Sequence, residues 1–188
     1  MSVVSMISAE RERYVAYFES AAAVVVSKAP DTARELLISI NNDDMSYPYR
    51  YVRVDLISKA PDGSDQIYEV WLDPSEESEA KGFQIGPVSV EIYPFTWCAT
   101  QIAFDRPLPD VAKLEALITQ WLNVDDTSTD PLGVANAIHS ATSIETNGQL
   151  WYLTIDFGTA SANILLELID FLANEGMVDK IIITSFSR

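Results

Sequence analysis

Histidine and cysteine are nearly missing from this chain: 188 residues hold one of each, His139 and Cys98. A single cysteine excludes an intramolecular disulfide framework, and a single histidine excludes multi-histidine metal sites within one chain. Glycine is sparse as well. The seven glycines, at positions 63, 82, 86, 133, 148, 158 and 176, fit neither a G-x-x-x-x-G-K phosphate loop nor a G-x-G-x-x-G fingerprint. No G-x-S-x-G nucleophile elbow occurs. Long apolar runs are also lacking. The longest, Ala21 to Val26, is far too short to span a bilayer. The N-terminal segment lacks the ordered basic, apolar and small-residue regions of a secretory signal, so the cytoplasm is the expected compartment.

The last scarcity is positive charge. From Leu114 to Asp179 there is no Lys or Arg, and the formal net charge of the chain is −16. Such a surface repels phosphate backbones and anionic lipid, which argues against nucleic-acid and membrane partners. It favours a basic protein partner, met by electrostatic steering and then aromatic and aliphatic docking.

What is present reads as a globular α+β chain. Apolar residues make up 48% of the sequence, enough for a substantial core. One domain over residues 1–188 is expected, with 1–42 a helical N-terminal segment. Tyr14, Phe18, Ala22 and Val25 recur at helical spacing between about Ser8 and Ser27. Pro30 suits a first turn, and Arg34, Leu36, Leu37 and Ile40 predict a second short helix. Val52, Val54 and Leu56 alternate as one strand face, and Pro61-Asp62-Gly63-Ser64 turns the chain towards a partner strand over Ile67 to Leu72. Pro74 to Lys81 reads as a charged connection, and Val88, Val90 and Ile92 as a third strand. A fourth strand follows over Thr96 to Phe104, and a helix runs from Asp110 to about Asn123. Asn147-Gly148 predicts a hairpin turn between Ala141–Thr146 and Gln149–Phe157. A last helix over about Ala160 to Asn174 and a strand over Val178 to Thr184 complete the chain. The fold class is therefore α+β, mainly antiparallel sheet against helices, and the C-terminal half admits a ferredoxin-like arrangement.

Trp97-Cys98-Ala99-Thr100 and Trp151-Tyr152-Leu153-Thr154 open two similar strand-then-helix stretches. Their apolar positions slip by one residue, which reverses strand faces. Either the first copy contains a bulge, or the two share secondary structure only.

Chemistry-bearing residues are scattered. Asp55, Glu69, Glu91, Asp105 and Asp156 lie on or beside strands and could form carboxylate pairs. Cys98 and His139 could meet in space, but no third orienting group is visible. Asp125, Asp126 and Asp130 supply oxygen ligands without the turn glycine and terminal glutamate of a calcium loop. No catalytic residue, metal site or cofactor is assigned. The binding candidates are the ladder Tyr47, Tyr49 and Tyr51 with Arg53, and the acidic loop Asp125, Asp126 and Asp130. In charge and element order the chain resembles small bacterial secretion chaperones and toxin-neutralising immunity proteins. That resemblance implies a non-enzymatic, acidic protein-binding module. The alternatives are a small-molecule-binding domain or hydrolase that uses acidic residues without a cofactor, and a structural homodimer.

Overall fold

A computed structural model describes residues 2–75, 79–124 and 134–185. Helix α1 spans Val3–Lys28, and the Ser2 side chain caps it by accepting from the Ser5 amide. The β-branched run at its end stays helical. Tyr14, Phe18 and Ala22 are buried on one face, and this packing outweighs the local propensity.

The first correction falls next. Residues predicted as a second helix form strand β1, Ala33–Ser39. It pairs antiparallel with β2, Tyr51–Lys59, which pairs in turn with β3, Asp65–Tyr68. Glu35 has φ 50°, a value that breaks a right-handed helix and is strained for a side chain of this size. Tertiary pairing overrides the helix preference of Ala33-Arg34-Glu35-Leu36-Leu37.

The larger sheet runs in the order β4-β5-β10-β6-β9-β7. Its strands are β4 Lys81–Ile85, β5 Val88–Ile92, β6 Thr100–Phe104, β7 Ser140–Ala141, β9 Trp151–Asp156 and β10 Lys180–Ser185. A further short strand, β8 Glu145–Thr146, also pairs with β9 across the Asn147-Gly148 turn. Strand β4 starts at Lys81, the last residue of the expected charged connection, and covers residues to which the sequence assigned no element; Gly86, at φ 55°, lets the chain reverse into β5. Pairing is antiparallel except between β5 and β10, which run parallel.

Trp97–Ala99 form a 3-10 turn ahead of β6, while Trp151 is the first residue of β9. The first stretch therefore reaches its strand only at Thr100. Helices α2, Val111–Trp121, and α3, Ala162–Asn174, follow β6 and precede β10. Leu114, Ile118, Leu165, Leu168 and Leu172 join Ile102, Phe104, Leu153, Ile155, Ile181 and Ile183 in one apolar core. Each such side chain contributes about 1.5–3 kcal/mol by leaving water. Trp97 stacks on Phe157 with ring centroids 4.6 Å apart, which ties the 3-10 turn to the end of β9. The result is a mixed α+β fold. Among the described residues, no helix is long and apolar enough to cross a membrane.

Candidate functional site

The site lies where the two sheets meet. The His139 amide donates to the Asp156 carbonyl at 2.8 Å, and the His139 carbonyl accepts from the Arg53 amide at 2.7 Å. The backbone of one residue thus joins β9 of the large sheet to β2 of the small one. The register on the small sheet pairs Arg34 with Leu56 and Leu36 with Val54, so Glu35 lies across from Asp55. Two buried carboxylates in that relation repel one another. The imidazole of His139 sits between them.

His139 is 1% exposed. Its Nε2 lies 3.0 Å from Glu35 Oε1 and its Nδ1 lies 2.6 Å from Asp55 Oδ1. Glu35 also accepts from the Thr159 hydroxyl and from the Ala135 amide. Burial alone would raise its carboxyl; the His139, Thr159 and Ala135 donors outweigh that and hold it below the usual range. For His139, burial pulls the pKa down, but Asp55 and Glu35 beside it win and push it up to about 10. The second contact is an ion pair that is close but poorly angled, and among the described residues neither His139 Nδ1 nor Asp55 Oδ1 has another partner. The other Asp55 oxygen, Oδ2, accepts from the Val70 amide.

Glycine is required beside the ring. Gly158 has φ 47°, and a Cβ there would stand 2.1 Å from His139 Cδ2. Arg11, on α1, donates to the carbonyls of Thr159 and Ala160 and so braces this loop. Phe18 meets the imidazole edge-on, with centroids 6.2 Å apart. Asp156 points into the same space, with Oδ1 accepting from the Gly158 amide at 2.9 Å. Burial pushes its carboxyl up to about 7; His139 opposes the shift, and Asp55 and Glu69 add to it.

These groups open onto a cavity of about 350 Å³ that Asp55, Glu69, Cys98, His139 and Asp156 border. Val54, Ile67, Val70 and Trp71 supply apolar wall, and Thr142 and Thr154 supply hydroxyls. Cys98 and His139 do share this cavity. They do not form a nucleophile and base, because burial pushes the thiol up and both imidazole nitrogens face carboxylates. Tyr14 reaches the region from the core. Its hydroxyl is buried without a hydrogen-bond partner, and burial, then Asp156, Asp55, Cys98 and Glu35, raise its pKa.

Of the carboxylates flagged from sequence, Asp55, Glu69 and Asp156 come together. Glu91 pairs instead with Lys180, and Asp105 accepts from the amides of Asp179 and Lys180. The tyrosine ladder divides. Tyr47 and Tyr51 meet edge-on at 5.5 Å, while Tyr49 is buried and borders a second cavity of about 340 Å³. Burial, with Glu115 beside it, pushes the Tyr49 phenol up to about 12.

Arg53 is 6% exposed and closes the end of α2 by donating to the carbonyls of Leu122 and Asn123. It also donates to the Glu35 carbonyl at 2.9 Å, which helps hold that residue in its left-handed conformation. Asp125, Asp126 and Asp130 lie outside the described residues. The residue that sequence reasoning missed is Glu35, which was placed inside a helix. No family model, curated protein or solved structure matches this chain.

Proposed function

We propose that the protein is a small-ligand-binding domain that receives a cationic group in the cleft between its sheets. One observation carries the reading: the only histidine is buried between two carboxylates at the floor of a cavity whose wall bears a third and a fourth, Asp156 and Glu69. A negative floor with Val54, Ile67 and Trp71 on the walls suits a ligand with a positive head and an apolar body. Among the sequence alternatives this is the small-molecule domain that uses acidic residues without a recognised cofactor. The order β10-β6-β9-β7, with α2 and α3 as connections, supports a ferredoxin-like reading of the C-terminal half. That reading places the cleft at the edge of the unit, where the small sheet joins it.

The test is a thermal-shift and calorimetric titration of the whole chain with ethylamine, 1,4-diaminobutane, guanidinium and divalent chlorides, beside Asp156→Asn. A ligand at a hundred times its Kd stabilises the fold by about 2.7 kcal/mol, a readily measured rise in Tm. We expect at least one cation to stabilise the wild type and to bind Asp156→Asn at least tenfold more weakly. Equal responses from both proteins to every compound would reject the reading.

A second reading, an acidic module for a basic protein partner, draws on the net charge of −16 and on Leu36, Ile38 and Ile67, which are exposed on the small sheet. Salt-sensitive retention of a stoichiometric basic protein, weakened in Leu36→Asp, would favour it. Retention unchanged by that substitution would count against it.

A further inference from the structure

The imidazole of His139 meets a carboxylate at each of its two nitrogens. Glu35 is held as an acceptor by three donors, so its contact with Nε2 places a proton on that nitrogen. The other nitrogen, Nδ1, faces Asp55 Oδ1 at 2.6 Å, a contact that the proton of a charged imidazole bridges and that a metal ion displacing that proton would bridge in its place. The pair is close but poorly angled for a hydrogen bond, and among the described residues neither atom has another partner. Buried polar atoms usually find well-aligned partners, and His139 and Asp55, which carry these two, both border the cavity together with Asp156.

We propose that the cleft binds one divalent transition-metal ion, typified by Zn²⁺, through His139 Nδ1, Asp55 Oδ1 and a carboxylate oxygen of Asp156. This rests on the cationic-cleft reading and specifies the cation. The three donor atoms lie within 4.8 Å of one another. Ligands on a four-coordinate zinc stand about 3.3 Å apart, given bonds of about 2.0–2.1 Å, so the required adjustment is small. One imidazole and two carboxylates suit Zn²⁺ or Mn²⁺ better than Mg²⁺ or Ca²⁺, which favour all-oxygen shells.

The surroundings match the needs of a ligating imidazole. Glu35 takes the distal N–H, the usual arrangement that fixes tautomer and ring orientation. Gly158 leaves room for the ring where any Cβ would collide with it. Three protein donors leave a position open towards the cavity, where an oxygen or nitrogen donor of a small ligand would complete the shell. Glu35 is on this account a positioning residue and the other three are ligands.

The test uses the whole chain, stripped with chelator and titrated with Zn²⁺ by calorimetry, with Mn²⁺, Mg²⁺ and Ca²⁺ as comparisons. Because the chain has one imidazole, its two ring nitrogens can be followed in a long-range ¹H–¹⁵N correlation without any substitution. We expect one Zn²⁺ per chain, binding at least a hundredfold tighter than Mg²⁺. The Nδ1 resonance should move while Nε2 keeps its proton, and Asp156→Asn should bind at least tenfold more weakly. Zn²⁺ binding that leaves Nδ1 unmoved, or that Asp156→Asn does not weaken, overturns the metal site. A parallel titration with 1,4-diaminobutane separates the two levels. If the diamine still distinguishes Asp156→Asn, the cationic cleft stands without the metal; if neither cation does, both readings fall.

Discussion

The two sheets bury opposite kinds of surface. On the large sheet the covered face is carbon: Ile102, Phe104, Leu153, Ile155, Ile181 and Ile183 are all without exposure. On the small sheet the covered positions of β2 include Arg53 and Asp55, and Glu35 is buried on β1 beside them. Val52 and Val54, which look like the inward face by composition, are only half covered. Apolar burial is non-directional and accepts repacking, whereas a buried charged network fails when one member loses its partner. The large sheet therefore sets how stable the molecule is, and the small sheet sets the shape of the cleft.

Phe104→Ala should have the largest effect on stability, about 3–5 kcal/mol in urea unfolding, because it empties a fully packed site that does not border the cavity. Cation binding by the folded fraction should stay within twofold of wild type. A parallel collapse of binding would end the division between the sheets. Gly158→Ala sharpens it from the other side. It adds a methyl group where the imidazole lies and forces a left-handed alanine, costing about 2–3 kcal/mol. Binding should fall at least tenfold in protein that still folds, and unaltered binding would mean that ring placement does not matter. Arg53→Lys should be the mildest, about 1–2 kcal/mol, because an ammonium cannot serve the Leu122, Asn123 and Glu35 carbonyls from one plane. Cation affinity should fall severalfold as Glu35 loses its anchor. A wild-type unfolding midpoint would show that water replaces the guanidinium at no cost.

Much of the large sheet is legible in the sequence because its signals are local. Alternation marks β5 and β9, Asn147-Gly148 marks the reversal between β8 and β9, and helical spacing marks α1, α2 and α3. The small sheet is harder to read, because Pro30 and the negative charges of Asp31 and Glu35 mimic a helix start. With β1 read as helix, Glu35 has no reason to face Asp55. The site then breaks into fragments. Asp55, Glu69, Asp156, Cys98 and His139 each stand out by residue type, yet they are spread over β2, the segment after β3, the turn before β6 and both sides of the final hairpin. The contact between β2 and the His139 backbone assembles them, and such a pairing at a sequence separation of 86 has no local signature. The obligatory glycine at 158 is likewise invisible, since its reason is a ring nineteen positions away.

The peptide of His139 is the join between the sheets, while its side chain is the floor of the cleft. One residue thus has its backbone in the framework and its ring at the cavity. Anything that draws the imidazole towards the cavity transmits force to the Arg53 amide and, through the Arg53 guanidinium, to the end of α2. A cation in the proposed site would therefore add a second tie beside the His139 hydrogen bonds that already join the sheets, and stiffness against shear at that join would report its occupancy.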